Sequence, residues 1–244
     1  MLELLRDPNV WIAFGTLTIM EIVLGIDNIV FISIVVSKLP PAEAHRARQI
    51  GLALALVFRI ALLGILSWLI ALTQPVFTIL GHGYSWRDII LGVGGLFLLY
   101  KATVEIHDQI EGETNEEEAD RKSAGAFNLV IGQIILIDMI FSVDSIITAI
   151  GMAEHIEVMI AAVIVAVAIM YVASGPVSDF VQRHPTVKML ALSFLLLIGI
   201  SLVAEALGFH VPRGYLYFAM AFSAIVETFN IWVRRRRTRP SKSG

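Results

Sequence analysis

Residues 21–28 read EIVLGIDN, and residues 138–145 read DMIFSVDS. In both segments an acidic residue comes six positions before an Asp, which a small polar residue follows at once. The matching residues are Glu21, Asp27 and Asn28 in the first segment and Asp138, Asp144 and Ser145 in the second, at a constant offset of 117. Both segments lie in long apolar stretches, where a carboxylate costs about 2.5–3.5 kcal/mol on insertion scales. Two matching pairs of such costly groups indicate one polar site built from two halves of the chain.

The composition around these segments is that of an integral membrane protein. The 244-residue chain is 57% hydrophobic and has a mean hydropathy of +0.79, well above the usual soluble range. A transmembrane helix needs about 20 mostly apolar residues. Stretches of this kind predict seven transmembrane helices, at about 10–36, 50–72, 87–107, 126–152, 156–180, 187–207 and 213–233. We therefore predict an all-α integral membrane fold. The first stretch is too long and too acidic for a signal peptide.

The repeated acidic segments also predict an internal duplication. They fall in the first and fourth predicted helices, and an odd number of helices per unit turns the second unit upside down. We predict two inverted three-helix repeats, at 1–107 and 126–207, joined by an acidic cytoplasmic linker at 108–125. A seventh helix and a basic cytoplasmic tail follow at 208–244. Sites in such transporters lie near the midplane, between the repeats.

Positive charges predict the orientation. With the N-terminus outside, Arg6, Arg87 and Arg213 are the only Lys or Arg residues on the outer side. The inner loops and tail hold thirteen: Lys38, Arg46, Arg48, Arg121, Lys122, Arg183, Lys188, Arg234, Arg235, Arg236, Arg237, Arg239 and Lys242. This asymmetry predicts a multi-pass protein of the bacterial cytoplasmic (inner) membrane with a cytoplasmic C-terminus. The terminal arginine run fits contact with anionic lipid, and we expect no nucleic-acid partner.

The repeated residues supply only hard oxygen donors. The chain has no Cys, and no His lies in the central part of a predicted span, which disfavours Zn²⁺ and copper. Oxygen donors suit Mn²⁺, Mg²⁺ and Ca²⁺, and the residues alone do not rank these three. Without the metal, some of the carboxylates should be protonated, so metal and protons would compete for the same oxygens. We expect a bound or transported divalent cation and no prosthetic group.

Other charged residues in or near the spans are candidate gates or pairing groups. Arg59 should pair with a buried acid, and we expect Asp27 or Glu105. Glu105 and Glu205 are related by an offset of 100 and should lie at opposite ends of the bundle, as interfacial acids or as entry and exit ligands. Glu227 is a further acidic candidate. We also expect helix breaks near Gly25 and Ser142, which would turn both Asp side chains toward one cavity.

Four segments resemble the TerC family of integral membrane proteins, most closely its YgdQ-type branch. They are EIVLGIDNIVF (21–31), FSVDSIITA (141–149), HPTVKMLALSFL (184–195) and HVPRGYLYFAMAFSAIVE (210–227). The resemblance implies a seven-span fold related to LysE-type exporters and export of a metal ion, chiefly Mn²⁺. It assigns the functional acids to Asp27 with Asn28 and Asp144 with Ser145, and less directly to Glu21 and Asp138.

Two other functions remain open at this stage. Paired intramembrane aspartates could form an aspartyl protease dyad, but the sequence before Asp27 lacks the first glycine of the Gly-x-Gly-Asp motif typical of such enzymes. We therefore expect a non-enzyme. A membrane scaffold or insertion factor would need no ion flux. The leading hypothesis is a divalent cation transporter, with Mn²⁺ the cargo that the resemblance implies and protons a candidate counter-ion.

Overall fold

A computed structural model describes residues 7–65, 70, 72–79, 82–111, 123–150 and 155–237. These residues form seven long helices and one hairpin. The elements are α1 (Pro8–Val36), α2 (Pro41–Gly64), β1 (Pro75–Ile79), β2 (His82–Ser85), α3 (Trp86–Glu111), α4 (Ser123–Ile150), α5 (Ile156–Arg183), α6 (Pro185–Ala206) and α7 (Arg213–Arg237). Each helix contains a segment long and apolar enough to cross a membrane. The prediction of a seven-helix integral membrane fold is confirmed.

Two elements differ from the predicted boundaries. Helix α2 begins at Pro41 rather than near residue 50 and ends at Gly64. Its first two turns are mostly polar, so an apolar window misses them, although Pro at the first helical position is a good start signal. The second difference is the hairpin, in which Phe77 pairs with Tyr84 across antiparallel strands and their rings stack. Most of the predicted linker, residues 112–122, lies outside the described part.

The expected breaks in the first and fourth spans are wrong. Helix α1 is continuous through Gly25, and α4 is continuous through Ser142. Gly25 serves packing instead, because a Cβ at this position would overlap Met170 Sδ on α5. The Ser142 hydroxyl donates to Asp138 Oδ2 at 3.2 Å, one turn earlier on the same helix. Both positions therefore fit unbroken helices.

The helices pack in pairs that an internal two-fold axis would produce. The extensive contacts join α1 to α5, α2 to α4, and α3 to α6. Exchanging α1 with α4, α2 with α5 and α3 with α6 converts the first pair into the second and returns the third pair to itself. This packing is compatible with the predicted duplication, and both the repeat and the inversion of one unit relative to the other stay predictions.

Helices α3 and α6 approach each other most closely at two glycines. A Cβ on Gly95 would lie 2.7 Å from the backbone oxygen of Gly199, and a Cβ on Gly199 would lie 3.0 Å from the backbone oxygen of Gly95. Small residues allow such approach between membrane helices. Ion pairs at both ends of this helix pair, described below, show that the two helices run antiparallel.

Helix α7 is seated differently from the other six. None of residues 213–233 is buried, and among the described elements α7 packs mainly on α6. An apolar crevice of about 480 Å³ separates it from the bundle, lined by side chains of α1, α5, α6 and α7. In a bilayer these apolar surfaces face lipid, where exposure carries no hydrophobic penalty.

Candidate cation site

Four polar side chains meet inside the bundle and form what we call the central network: Glu21, Asn28, Arg59 and Asp138. Arg59 Nη1 pairs with Glu21 Oε2, while Arg59 Nη2 lies 2.8 Å from Asp138 Oδ1 and Nε lies 3.2 Å from both Asp138 oxygens. Asn28 Nδ2 donates to Asp138 Oδ1 at 3.0 Å. All four residues are at least 94% buried. Because Glu21 and Asp138 lie near the middle of α1 and α4, the network lies deep in the membrane region.

The central network carries unbalanced charge and unused oxygens. With its groups in their usual ionic states, two carboxylates face one guanidinium, which leaves one net negative charge. The Oδ1 atom of Asn28 is buried without a hydrogen-bond partner, and so is Thr18 Oγ1. Thr18 precedes Glu21 by one helical turn, so it lies on the same face of α1. Buried oxygens without partners are uncommon in proteins and are available to a ligand.

A second group of charges, the Asp144 cluster, consists of Arg87, Asp144, Glu205 and Arg213. Arg87 Nη2 lies 2.6 Å from Asp144 Oδ1 and 3.7 Å from Glu205 Oε2, and Arg213 pairs with Asp144 Oδ2. The Asp144 side chain is only 2% exposed. A cavity of about 40 Å³ lies beside Asp144, Glu205 and Arg213. This cluster ties the first turns of α3 and α7 to α4.

The structure explains how Arg87 reaches this position. Asp88 caps the start of α3 by accepting hydrogen bonds from the Ser85 backbone N–H at 2.8 Å and from its hydroxyl at 2.7 Å. These hydrogen bonds between the end of the hairpin and Asp88 fix the first turn of α3, which carries Arg87. Sequence reasoning treated Arg87 and Arg213 only as markers of the outer side. Their positions at helix starts were the available signal that they could neutralise acids at the ends of neighbouring helices.

A third group, the Glu105 cluster, consists of Lys38, Glu105, Asp108 and Lys188. Lys38 Nζ lies 2.6 Å from Glu105 and 3.3 Å from Asp108, and Lys188 Nζ lies 3.4 Å from Glu105. Burial alone would lower the pKa of Lys38, but its hydrogen bonds to Glu105 and Asp108 and their charges outweigh that effect and raise it above 10.5. Glu105 and Glu205 thus lie at opposite ends of α3 and α6, each beside a base from the start of the other helix.

The structure brings together some of the predicted site residues and separates others. Glu21, Asn28 and Asp138 meet, whereas Asp144 lies about 9 Å further along α4 than Asp138, at 1.5 Å rise per residue. Ser145 donates to the Ser142 backbone oxygen at 3.3 Å. The side chain of Asp27 lies outside the described part. Among the described residues, three or more His, Cys, Asp or Glu side chains do not group as a metal site.

Two pairing expectations are also resolved by the geometry. We expected Arg59 to pair with Asp27 or Glu105, but it pairs with Glu21 and Asp138, while two lysines hold Glu105. The earlier start of α2 explains the difference, because it moves Arg59 toward the far end of that helix. Glu227 accepts a hydrogen bond from Asn230 at 3.3 Å on its own helix. Hence Arg59 belongs to the central network, and Glu227 is held locally on α7.

Seven apolar helices around a buried charged network define a multi-pass integral membrane protein. Residues 6–242 match the model of the family described as "Integral membrane protein TerC family", and the chain belongs to this family. The family is often linked to ion transport. The chain is 54% identical to the Escherichia coli K12 "UPF0053 inner membrane protein YgdQ" over 227 residues, which covers 93% of this chain and 94% of that protein.

Two longer relatives also match. The "UPF0053 inner membrane protein YoaE" of Escherichia coli K12 is 50% identical over 234 residues, and "UPF0053 protein YegH" of Shigella flexneri is 49% identical over 238 residues. Each alignment covers 96% of this chain, which spans only 45% of the length of these two relatives. No solved structure matches the chain.

Proposed function

We propose that this protein exports a divalent metal cation, Mn²⁺, from the cytoplasm across the inner membrane. The observation that carries the proposal is the central network, whose two carboxylates and amide oxygen are buried midway through a seven-helix bundle beside the Thr18 hydroxyl. Ionisable groups inside a membrane are costly and rare, and they commonly mark substrate or ion pathways. The link between the TerC family and ion transport supports the same conclusion, as do the inner-membrane names of two relatives.

The donor types support a hard divalent cation as cargo. Carboxylate, amide and hydroxyl oxygens suit Mn²⁺, Mg²⁺ and Ca²⁺, and the resemblance noted above favours Mn²⁺. The outward direction is proposed because the same family resemblance implies export. An intramembrane protease is less well supported, because Asp144 lies between two arginines rather than against a second acid. An exchange of metal for protons is the form of coupling that we propose to test.

The test is metal flux in proteoliposomes. We expect wild-type protein to carry Mn²⁺ and to move protons in the opposite direction, which a pH-sensitive dye reports at two starting pH values. Glu21→Gln and Asp138→Asn should each lower the flux at least about tenfold, because each removes a charged oxygen donor. Asp179→Asn is the matched control, since Asp179 is an exposed carboxylate paired with Arg183 on the surface of α5.

The outcomes separate the candidate functions. Vesicles in which wild-type protein carries none of Mn²⁺, Mg²⁺ and Ca²⁺ at either pH would refute the transporter and leave the scaffold hypothesis. Flux of Mg²⁺ or Ca²⁺ in preference to Mn²⁺ would keep the class and refute the cargo. Equal losses in Asp179→Asn and Asp138→Asn would show that the central network is not the route.

A further inference from the structure

We propose that Arg59 is a tethered counter-ion that the cargo cation displaces during each transport cycle. The inference rests on the proposed function and concerns the residue that controls binding at the same site. In this structure the guanidinium occupies the carboxylate oxygens that a metal would use: it contacts Glu21 through Nη1 and Asp138 through Nε and Nη2. A metal and this guanidinium cannot both make these contacts.

The charge balance favours a cation that displaces Arg59 from the carboxylates over one that binds beside it. Glu21 and Asp138 together carry two negative charges, so the network has a net charge of about −1 with Arg59 in place. Adding a divalent cation beside Arg59 would reverse this to about +1, with two cationic groups in direct repulsion in a region of low dielectric. If Arg59 moves away, the same cation balances the two carboxylates. The most neutral metal-bound state is therefore one without the guanidinium.

The unused oxygens point to the same replacement. Thr18 Oγ1 and Asn28 Oδ1 are buried acceptors without partners on the face of α1 that carries Glu21. A guanidinium has five N–H donors and no acceptor, and it leaves these two oxygens unused here. A divalent cation of this class takes six or more oxygens, so Thr18 and Asn28 would extend the donor set of the two carboxylates. Thr18 is thereby assigned a ligand role that its sequence context did not indicate.

Arginine suits this task because its charge is permanent and its stem is flexible. The guanidinium stays charged at any physiological pH, so it balances one of the two carboxylates in the empty transporter throughout the pH range of the flux assay. Its long aliphatic stem lets the charged head move along a helix surface while α2 stays folded. A bidentate contact to Asp138 keeps it specific in the metal-free state. In the metal-free state, the Arg59 guanidinium therefore takes the place of the cation at the carboxylates.

The experiment measures Mn²⁺ affinity separately from flux, using metal-dependent thermal stabilisation of the full chain in lipid nanodiscs. Arg59→Gln removes the competing charge, and we expect Mn²⁺ to bind about tenfold more tightly, which corresponds to about 1.4 kcal/mol. Flux should fall, because the metal loses the group that helps to expel it. Arg46→Gln is the matched control, an exposed arginine on the same helix.

A conservative variant and a chemical rescue keep the test decisive if Arg59→Gln folds poorly. Arg59→Lys keeps the charge but loses the fork-shaped contacts, so its Mn²⁺ affinity should rise by a smaller factor. In Arg59→Ala, added methylguanidinium should compete with Mn²⁺, whereas it should leave wild type unchanged. Unchanged or weaker Mn²⁺ binding in the Gln and Lys variants, with wild-type flux intact, would overturn the inference alone. Absence of wild-type flux would instead refute the proposed function.

Discussion

The close approach of Gly95 and Gly199 predicts that Gly95→Ala destabilises the fold. The magnitude of the loss follows from three distances. A Cβ added to Gly95 would lie 2.7 Å from the Gly199 backbone oxygen, 2.9 Å from Val203 Cγ2 and 3.0 Å from the Val203 nitrogen. Favourable contacts between heavy atoms lie near 3.5–4.0 Å. Two of the three obstructing atoms belong to the α6 backbone and cannot rotate away. Gly95→Ala must therefore push α3 and α6 apart by roughly 0.5–0.8 Å to restore ordinary contact distances.

The expected loss follows from comparison with a glycine that has free space. Overpacking of this kind costs about 1–3 kcal/mol. Both Gly95→Ala and Gly15→Ala gain about 1 kcal/mol of helix propensity, but a Cβ on Gly15 meets nothing within 4 Å. The difference between the two variants therefore isolates the clash. We expect Gly95→Ala to unfold more readily than Gly15→Ala by about 1–3 kcal/mol, a factor of roughly 5–150 in the folded-to-unfolded ratio.

The assay is reversible unfolding in mixed detergent micelles, followed by circular dichroism. Separation of α3 from α6 should also weaken the ion pairs at both ends of the helix pair. Equal unfolding free energies for the Gly95 and Gly15 variants would refute the close approach of these helices. A loss in Gly95→Ala that Val203→Ala fully reverses would instead assign the effect to the Val203 side chain and not to the α6 backbone.

Two further predictions concern the end clusters. Asp144→Asn removes the buried carboxylate that Arg87 and Arg213 share. Both arginines are partly exposed and Arg87 keeps Glu205, so the expected destabilisation is about 1–3 kcal/mol. Adding Arg213→Gln should recover part of this loss in a double-mutant cycle of unfolding free energies, and strict additivity would contradict the ion pair. Because neighbours raise the pKa of Lys38 above 10.5, its charge stabilises the fold below that pH and the contribution disappears as pH rises through the folded-state pKa. Lys38→Gln should thus be less stable than wild type by under about 1 kcal/mol near pH 8, since Lys38 is half exposed, and equal to it at the alkaline limit; a difference that persists there would count against a charge effect.

Much of the fold could be predicted from the sequence because the bilayer imposes its own length scale. Apolar runs of about 20 residues define spans directly, and polar first turns are what moved the start of α2. The repeated offset also selected Glu21 and Asp138, which share one arginine. The hairpin was missed because Val76, Phe77 and Thr78 form too short a run of strand-favouring residues to stand out in an apolar chain.

The charge partners could not be predicted, because they depend on packing between distant helices. Arg59 meets Asp138 from 79 positions away and Arg87 meets Asp144 from 57 positions away. Sequence spacing specifies which residues share a face of one helix, but not the height at which two helices meet. Arg213 was harder still, since it belongs to the helix outside the repeat. The positive-inside rule assigns such residues to one side of the membrane but does not predict which side chains they contact.

Because α7 packs loosely on the other helices, moving it away from Asp144 should cost little free energy. A transmembrane helix satisfies its own backbone hydrogen bonds, so α7 can slide outward as an intact rod without melting. Among the described residues, an ion pair from Arg213 to Asp144 holds its first turn. Separating α3 from α6 would instead disrupt an extensive helix interface, including the close contact between Gly95 and Gly199. Outward movement of α7 would break the ion pair of Arg213 with Asp144 and would leave the contact between Gly95 and Gly199 in place.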